Sequence, residues 1–428
     1  MTESERSSTV SGEPVSSQNK PETQIETLVP PDGGRGWFPV LGSFLGLFSI
    51  FGYNYSWGVF LNYYKEHVFL NQMDKLSWVG SLCVALFFIL GPINQTVIRI
   101  MGYRYMLWTG MVLCTAALIL ASFAKEVWHV FLTQGLLYGL GASFVWFPCI
   151  GAPQQWFSKQ RGLAVGLAMS GSGIGGLVIS NICQAIINNI DYRWALRVVG
   201  IINFVLIGIA SILVRPLGTA EQTGGRAGIV SWYLFKNPRF VILFIFGLIT
   251  TFGYMTPFFL LPSHAKELQL DPWVGTNLSA IMSAVNAAAR IFTGFMGDKL
   301  GRFNSLFLCT FLAGLFCLAI WTNATNEATI WVFAVLYGFA GGGYIALFPA
   351  VQPQVVGLEN ISPAVGLLYA TNLVGYLFGT PIASALINKT VPPNYMNGAI
   401  WAGVTVIVGS LFALWLRVAQ GGWKWARI

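Results

Sequence analysis

The chain has 428 residues, of which 55% are hydrophobic and only 9% charged, with a mean hydropathy of +0.64 and a formal net charge of +8. A soluble domain carries roughly 25% charged residues, so most of this chain has no water-facing surface. The basic excess is not a nucleic-acid footprint, because Lys and Arg are scattered singly or in pairs between apolar runs. All six cysteines (Cys83, Cys114, Cys149, Cys183, Cys309, Cys317) lie inside such runs and read as small hydrophobes, so no disulfide framework, metal site or cofactor is expected.

Residues 1–31 are rich in Ser, Thr, Glu and Pro and read as a disordered, solvated cytoplasmic tail. A helix crosses a bilayer with about 20 apolar residues. That ruler places spans near 38–61, 77–98, 104–124, 128–149, 162–184 and 194–214, and again near 240–262, 273–296, 303–322, 328–349, 364–387 and 397–418. The expectation is an all-α integral membrane protein with twelve transmembrane helices. An N-terminal six-helix half spans 32–214 and a C-terminal half spans 240–418; residues 215–239 form a cytoplasmic linker and 419–428 a second cytoplasmic tail. With both termini inside, the internal loops hold ten Lys and Arg against three acids, and the external loops seven against seven. The bias favours that orientation.

Internal repetition supports the division. Leu137-Tyr138-Gly139 recurs as Leu336-Tyr337-Gly338, Phe147-Pro148 as Phe348-Pro349, Pro153-Gln154 as Pro353-Gln354, and Ala164-Val165-Gly166-Leu167 as Ala364-Val365-Gly366-Leu367. The offsets are 199, 201, 200 and 200. Equivalent spans match and six is even, so the halves run parallel, which resembles the major facilitator superfamily.

Arg290 is the one full charge inside the eighth span, where a guanidinium costs a few kcal/mol at least and marks a functional site by default. Two readings stand: it attracts an anionic or carbonyl-rich substrate, or its stem snorkels and its head joins the charges that follow. Those charges form Gly294-x-x-Gly297-Asp298-Lys299-x-Gly301-Arg302, which resembles the superfamily's gating hairpin between the second and third helices of a half. The resemblance implies that Asp298 and Arg302 pair with neighbouring helix ends and steady one conformation. The first half's counterpart runs from Gly91-Pro92 through Arg99, Gly102 and Arg104, with Asn94 and Gln95 but no acid.

A closer resemblance follows from Asp32-Gly33-Gly34-Arg35-Gly36-Trp37, from Tyr63-Tyr64-Lys65, and from Trp156-Phe157 with Arg161-Gly162-Leu163-Ala164 leading into the glycines at 171, 173, 175 and 176. In that order they resemble the monocarboxylate transporter family, nearest its fungal branch. In that family the first helix carries a substrate-linked lysine, where Asn54 and Tyr55 stand here. The eighth helix carries an Asp one turn before its arginine; here Asn286 stands where the acid would be, and Arg290 matches the arginine. No Asp or Glu lies within any predicted span, which argues against lactate–proton symport. Trp146, Tyr254, Tyr369 and Asn372 lie on spans that line the cavity in the superfamily and complete the candidate substrate-binding set.

His67, His129 and His264 sit at predicted outer ends without ligand spacing, and Asn323 and Asn388 are weak glycosylation acceptors close to the membrane. The expected function is a secondary transporter of a monocarboxylate-like or related organic anion, acting by alternating access as a monomer in the plasma membrane. Its expected partners are a small-molecule substrate and the lipid bilayer, without nucleic acid. The alternatives are export of a fungal secondary metabolite, carriage of a riboflavin-type vitamin, and a non-transporting nutrient sensor. No nucleophile–base pair suggests an enzyme.

Overall fold

The computed structural model describes residues 31–69, 73–217, 232–387 and 394–422. Most of both tails and of the middle interval, together with Asn388, lie outside the described residues. The helices are α1 Trp37–Tyr63, α2 Met73–Ile89, α3 Gly91–Ala121, α4 Val127–Trp156, α5 Arg161–Asn189 and α6 Tyr192–Leu213. After the interval come α7 Pro238–Glu267, α8 Pro272–Leu300, α9 Arg302–Ala319, α10 Glu327–Val356, α11 Ile361–Ile387 and α12 Tyr395–Gly421. Among the described residues, eleven helices are long and apolar enough to cross a membrane, and Trp78–Ile89 is a shorter apolar helix. The second crossing is shared: α2 runs into the start of α3, and α3 kinks at Gly102 (φ 73°) to begin the third crossing. Twelve crossings result.

Local chemistry explains several boundaries. Asn237, Asn326 and Asn394 cap α7, α10 and α12 by accepting the N–H of Arg239, Thr329 and Met396 at 3.0, 2.9 and 3.0 Å. Met255 interrupts α7 just before Pro257, whose ring lacks the N–H that a continuous helix requires.

The gating hairpin differs from its sequence reading. Gly294, Gly297, Asp298 and Lys299 are helical, because α8 runs to Leu300, and the turn itself is Gly301 alone (φ 98°). The apolar ruler ends where the hydrocarbon ends, while the backbone bonds carry the helix into the polar layer. Gly301 lies 199 residues after Gly102, and both hold the left-handed backbone that favours glycine.

Helices α1 to α6 pack on one another, α2 against α4, as do α7 to α12, and the two groups meet along α5 with α8 and along α2 and α3 with α11. Glycines let the first seam close. A Cβ on Gly162 would collide with the Gly294 carbonyl, and one on Gly166 with the Arg290 carbonyl. The seam can be followed from Gly162 and Gly294 up to Gly173 against Ala287.

Gly294→Val should force the groups apart at the hairpin face without unfolding either. Spin labels at Lys159 and Lys299 should report a longer distance in that variant at unchanged helical circular dichroism; an unchanged distance distribution would contradict the seam.

Candidate functional site

Helix α8 carries Arg290 ten residues before its end at Leu300, 5% exposed. Its Nε and Nη2 donate to Asn286 Oδ1 one turn earlier at 3.1 and 2.8 Å. Its Nη1 donates across the seam to the Met169 carbonyl of α5 at 2.6 Å and to Ser172 Oγ. Asn286 is fixed in turn, its Nδ2 donating to Tyr254 OH at 3.3 Å and to the Gly338 carbonyl at 3.2 Å. Every acceptor the structure gives Arg290 is neutral. Its head turns to Asn286 and to α5, and not toward the hairpin charges. An unneutralised guanidinium in low dielectric is a strong attractor of anions.

Arg290 is part of the wall of a small cavity between the two groups of helices. Of the candidate substrate-binding residues, Arg290, Tyr55, Trp146, Tyr369 and Asn372 line it. Asn286 and Tyr254 stand one layer behind, holding the arginine. Asn54 does not join them: its Nδ2 faces Cys83 Sγ of α2 at 3.9 Å, because α1 turns its neighbour Tyr55 inward. The remaining walls are largely aromatic. Trp146 meets Tyr369 edge to face at 5.4 Å and Phe51 at 5.0 Å, while Phe88 stacks on Tyr369 at 6.2 Å.

Sequence reasoning missed Ser172 and Met169. Ser172 sits between Gly171 and Gly173, and a hydroxyl inside a glycine stripe was the available signal. Phe51, Phe88, Met255, Ile345 and Phe348 carried no signal that set them apart from other apolar residues.

Asp298 bridges the two groups of helices at the hairpin end of the same seam. Its carboxylate, 9% exposed, accepts the N–H of Gly162 at 2.9 Å and of Leu163 at 2.8 Å, capping the N-terminus of α5 from the other half. Arg302 binds the same carboxylate through Nε at 3.0 Å and Nη2 at 2.8 Å, and donates to the Ser158 carbonyl. A carboxylate at a helix N-terminus satisfies orphan donors and meets the positive end of the dipole. Lys299 is exposed, its Nζ 4.6 Å above the Phe295 ring.

The first-half counterpart does a different job. Gly91 packs against the backbone of Gly366 on α11, Arg99 is half-buried, and the Arg104 guanidinium lies over the Trp108 ring at 4.9 Å. The α4–α5 loop is held instead by the segment before α1. Asp32 Oδ1 accepts the N–H of Ser158 at 2.5 Å and of Lys159 at 2.7 Å, and Trp37 packs on Phe157 at 4.8 Å between ring centres. One peptide stretch is thus gripped by Asp32 through its N–H groups and by Arg302 through a carbonyl. At the opposite end Tyr55 is 45% exposed although it lines the cavity.

Among the described residues no three His, Cys, Asp or Glu come together, and the six cysteines are buried and free. Asn323 is exposed in the turn after α9, its Nδ2 donating to the Ala319 carbonyl at 3.0 Å.

Two six-helix groups with a cavity between them are the architecture of a secondary transporter. The Major Facilitator Superfamily model matches residues 42–320 and 274–424, and the chain belongs to that family of transporters. It is 29% identical over 409 residues to the MFS transporter asaE of Aspergillus flavus, covering 95% of this chain and 92% of that one. It is 32% identical over 392 residues to monocarboxylate transporter 13 of Rattus norvegicus, covering 90% of each. It is 29% identical over 414 residues to the agnestins efflux protein AgnL12 of Paecilomyces divaricatus, covering 96% of this chain and 92% of that one. In solved structures the same fold appears in the E. coli fucose:proton symporter, with a TM-score of 0.70 at 14% identity over 89% of this chain and 98% of that one.

Asp32→Ala should free the α4–α5 loop. Loss of two hydrogen bonds to one carboxylate is worth about 1–3 kcal/mol, so amide deuterium uptake at Ser158 and Lys159 should rise roughly ten-fold or more. Unchanged uptake in peptides covering these residues would show that Asp32 does not hold the loop.

Proposed function

We propose that this transporter carries small organic anions across the plasma membrane by alternating access, as a monomer with both termini in the cytoplasm. The observation that carries the reading is Arg290, buried on the cavity wall with only neutral acceptors around it. A substrate carboxylate or enolate supplies the missing counter-charge and, in doing so, competes for the guanidinium with Met169 and Ser172 across the seam. Binding and the contact between halves are then linked through one side chain.

No Asp or Glu is among the cavity-lining residues, and Asp298 is engaged by α5 and Arg302. Proton coupling, where it occurs, therefore rests on the substrate's own protonation in this reading. Export of a secondary metabolite is the second reading. It is favoured by the aromatic walls and by the likeness to a protein named for agnestins efflux. The positive bias of the hairpin side agrees with that side being cytoplasmic.

Mass spectrometry on cells with and without the chain, at two external pH values, would identify the anions whose distribution depends on it. Arg290→Ala, at matched membrane abundance, should reduce their transport roughly a hundred-fold, the loss expected when a desolvated charge partner is removed. Normal saturable transport by this variant would remove Arg290 from the site.

A further inference from the structure

Three residues that line the cavity each hold a buried polar atom with no hydrogen-bonding partner in the protein: Trp146 Nε1, Tyr344 OH and Asn372 Oδ1. These residues are 3%, 1% and 2% exposed. Other buried atoms lack partners elsewhere, but these three belong to residues that share one cavity with Arg290. Their neighbours are not short of partners: Tyr254, Asn286 and Ser172 are all hydrogen-bonded. A dry, unpaired donor or acceptor is costly, and native structures retain one chiefly where something else completes it.

The chemistry of each atom restricts what completes it. An indole N–H only donates and an amide oxygen only accepts, while a phenol does either. The surfaces between them are flat rings: Phe88 stacked on Tyr369 at 6.2 Å, Tyr344 stacked on Phe348 at 5.6 Å, and Trp146 edge-on to Tyr369 at 5.4 Å. Rings in such arrangements favour a planar guest, because their quadrupoles reward offset stacking and edge contacts.

Resting on the anion-transport reading, we propose that the substrate class is planar aromatic or conjugated acids that also carry a hydroxyl remote from the acid. The acid meets Arg290, while the hydroxyl donates to Asn372 Oδ1 and its oxygen accepts from Trp146 Nε1, with Tyr344 OH serving either partner. A small saturated acid satisfies Arg290 but leaves the rings bare and the three atoms unpaired. A site built to bond a hydroxyl rejects the analogue that lacks it far more strongly than a greasy pocket rejects a misfit.

Four probes test the assignment by calorimetry on the purified full-length chain in lipid nanodiscs: 4-hydroxycinnamate, cinnamate, 4-hydroxycinnamyl alcohol and lactate. The first should bind at least ten-fold tighter than cinnamate, and lactate weakest of the acids. Asn372→Leu should bring the Kd ratio of cinnamate to 4-hydroxycinnamate down to about one, and Trp146→Phe should lower it while keeping a ring in place. Equal wild-type affinities for the two cinnamates, tighter binding of lactate, binding of none of the four, or a ratio preserved in both variants would overturn the proposal. If either variant fails to fold, the wild-type ratio alone decides. The alcohol separates this inference from the reading it rests on. An alcohol that binds as tightly as its acid defeats the anion reading, while the ratio between the cinnamates still reports on Asn372 and Trp146.

Discussion

One carboxylate bridges the two halves of this transporter at the hairpin end. Asp298 belongs to α8, yet the donors it satisfies are the first N–H groups of α5. Those donors have no partner of their own inside the helix, and they lie at the positive end of its dipole. Arg302 neutralises the same carboxylate and reaches on to the loop before α5, so the charge is never left bare in a poorly solvated place. The glycines at 162, 166 and 294 make the contact possible by letting two backbones approach.

The buried arginine sits on the same seam. Arg290 bonds to Asn286 on its own helix and to Met169 and Ser172 on the other half. An anion that draws the guanidinium inward weakens a contact between halves at the moment it binds. In the proposed reading, closure of the site and release of the hairpin face then become parts of one equilibrium, which is the linkage alternating access requires.

Much of the fold was legible because hydrocarbon thickness is a stringent ruler and apolar runs of that length are hard to misread. The duplication was legible from tetrapeptides such as Ala164–Leu167 against Ala364–Leu367. Two things were not. Helix ends were placed a turn or two short, since backbone bonding continues into the polar layer after hydrophobicity stops; Asp298 and Lys299 were therefore read as turn residues when they are helical. Side-chain direction on a uniformly apolar helix was also hidden. Asn54 and Tyr55 are adjacent in sequence, yet only the tyrosine reaches the cavity. Periodicity cannot separate such neighbours when every face is apolar. The charged residues fared better, because each buried charge needs a partner and few partners exist. The reach of Asp32 to Ser158 and Lys159 is the exception; its motif was visible and its partner was not.

The central claim is that the Asp298 cap closes the hairpin face while the cavity stays open opposite. A single cysteine at position 55, in a chain whose six native cysteines are replaced, can be challenged with a membrane-impermeant thiol reagent from each side of sealed, oriented vesicles. With Asp298 present the account predicts labelling from the face opposite the hairpins and little from the hairpin face. With Asp298→Asn it predicts labelling from both, because a weakened cap and ion pair shift the closed population by roughly ten-fold. Ready labelling from the hairpin face while Asp298 is intact, or identical behaviour of the two proteins, would contradict it.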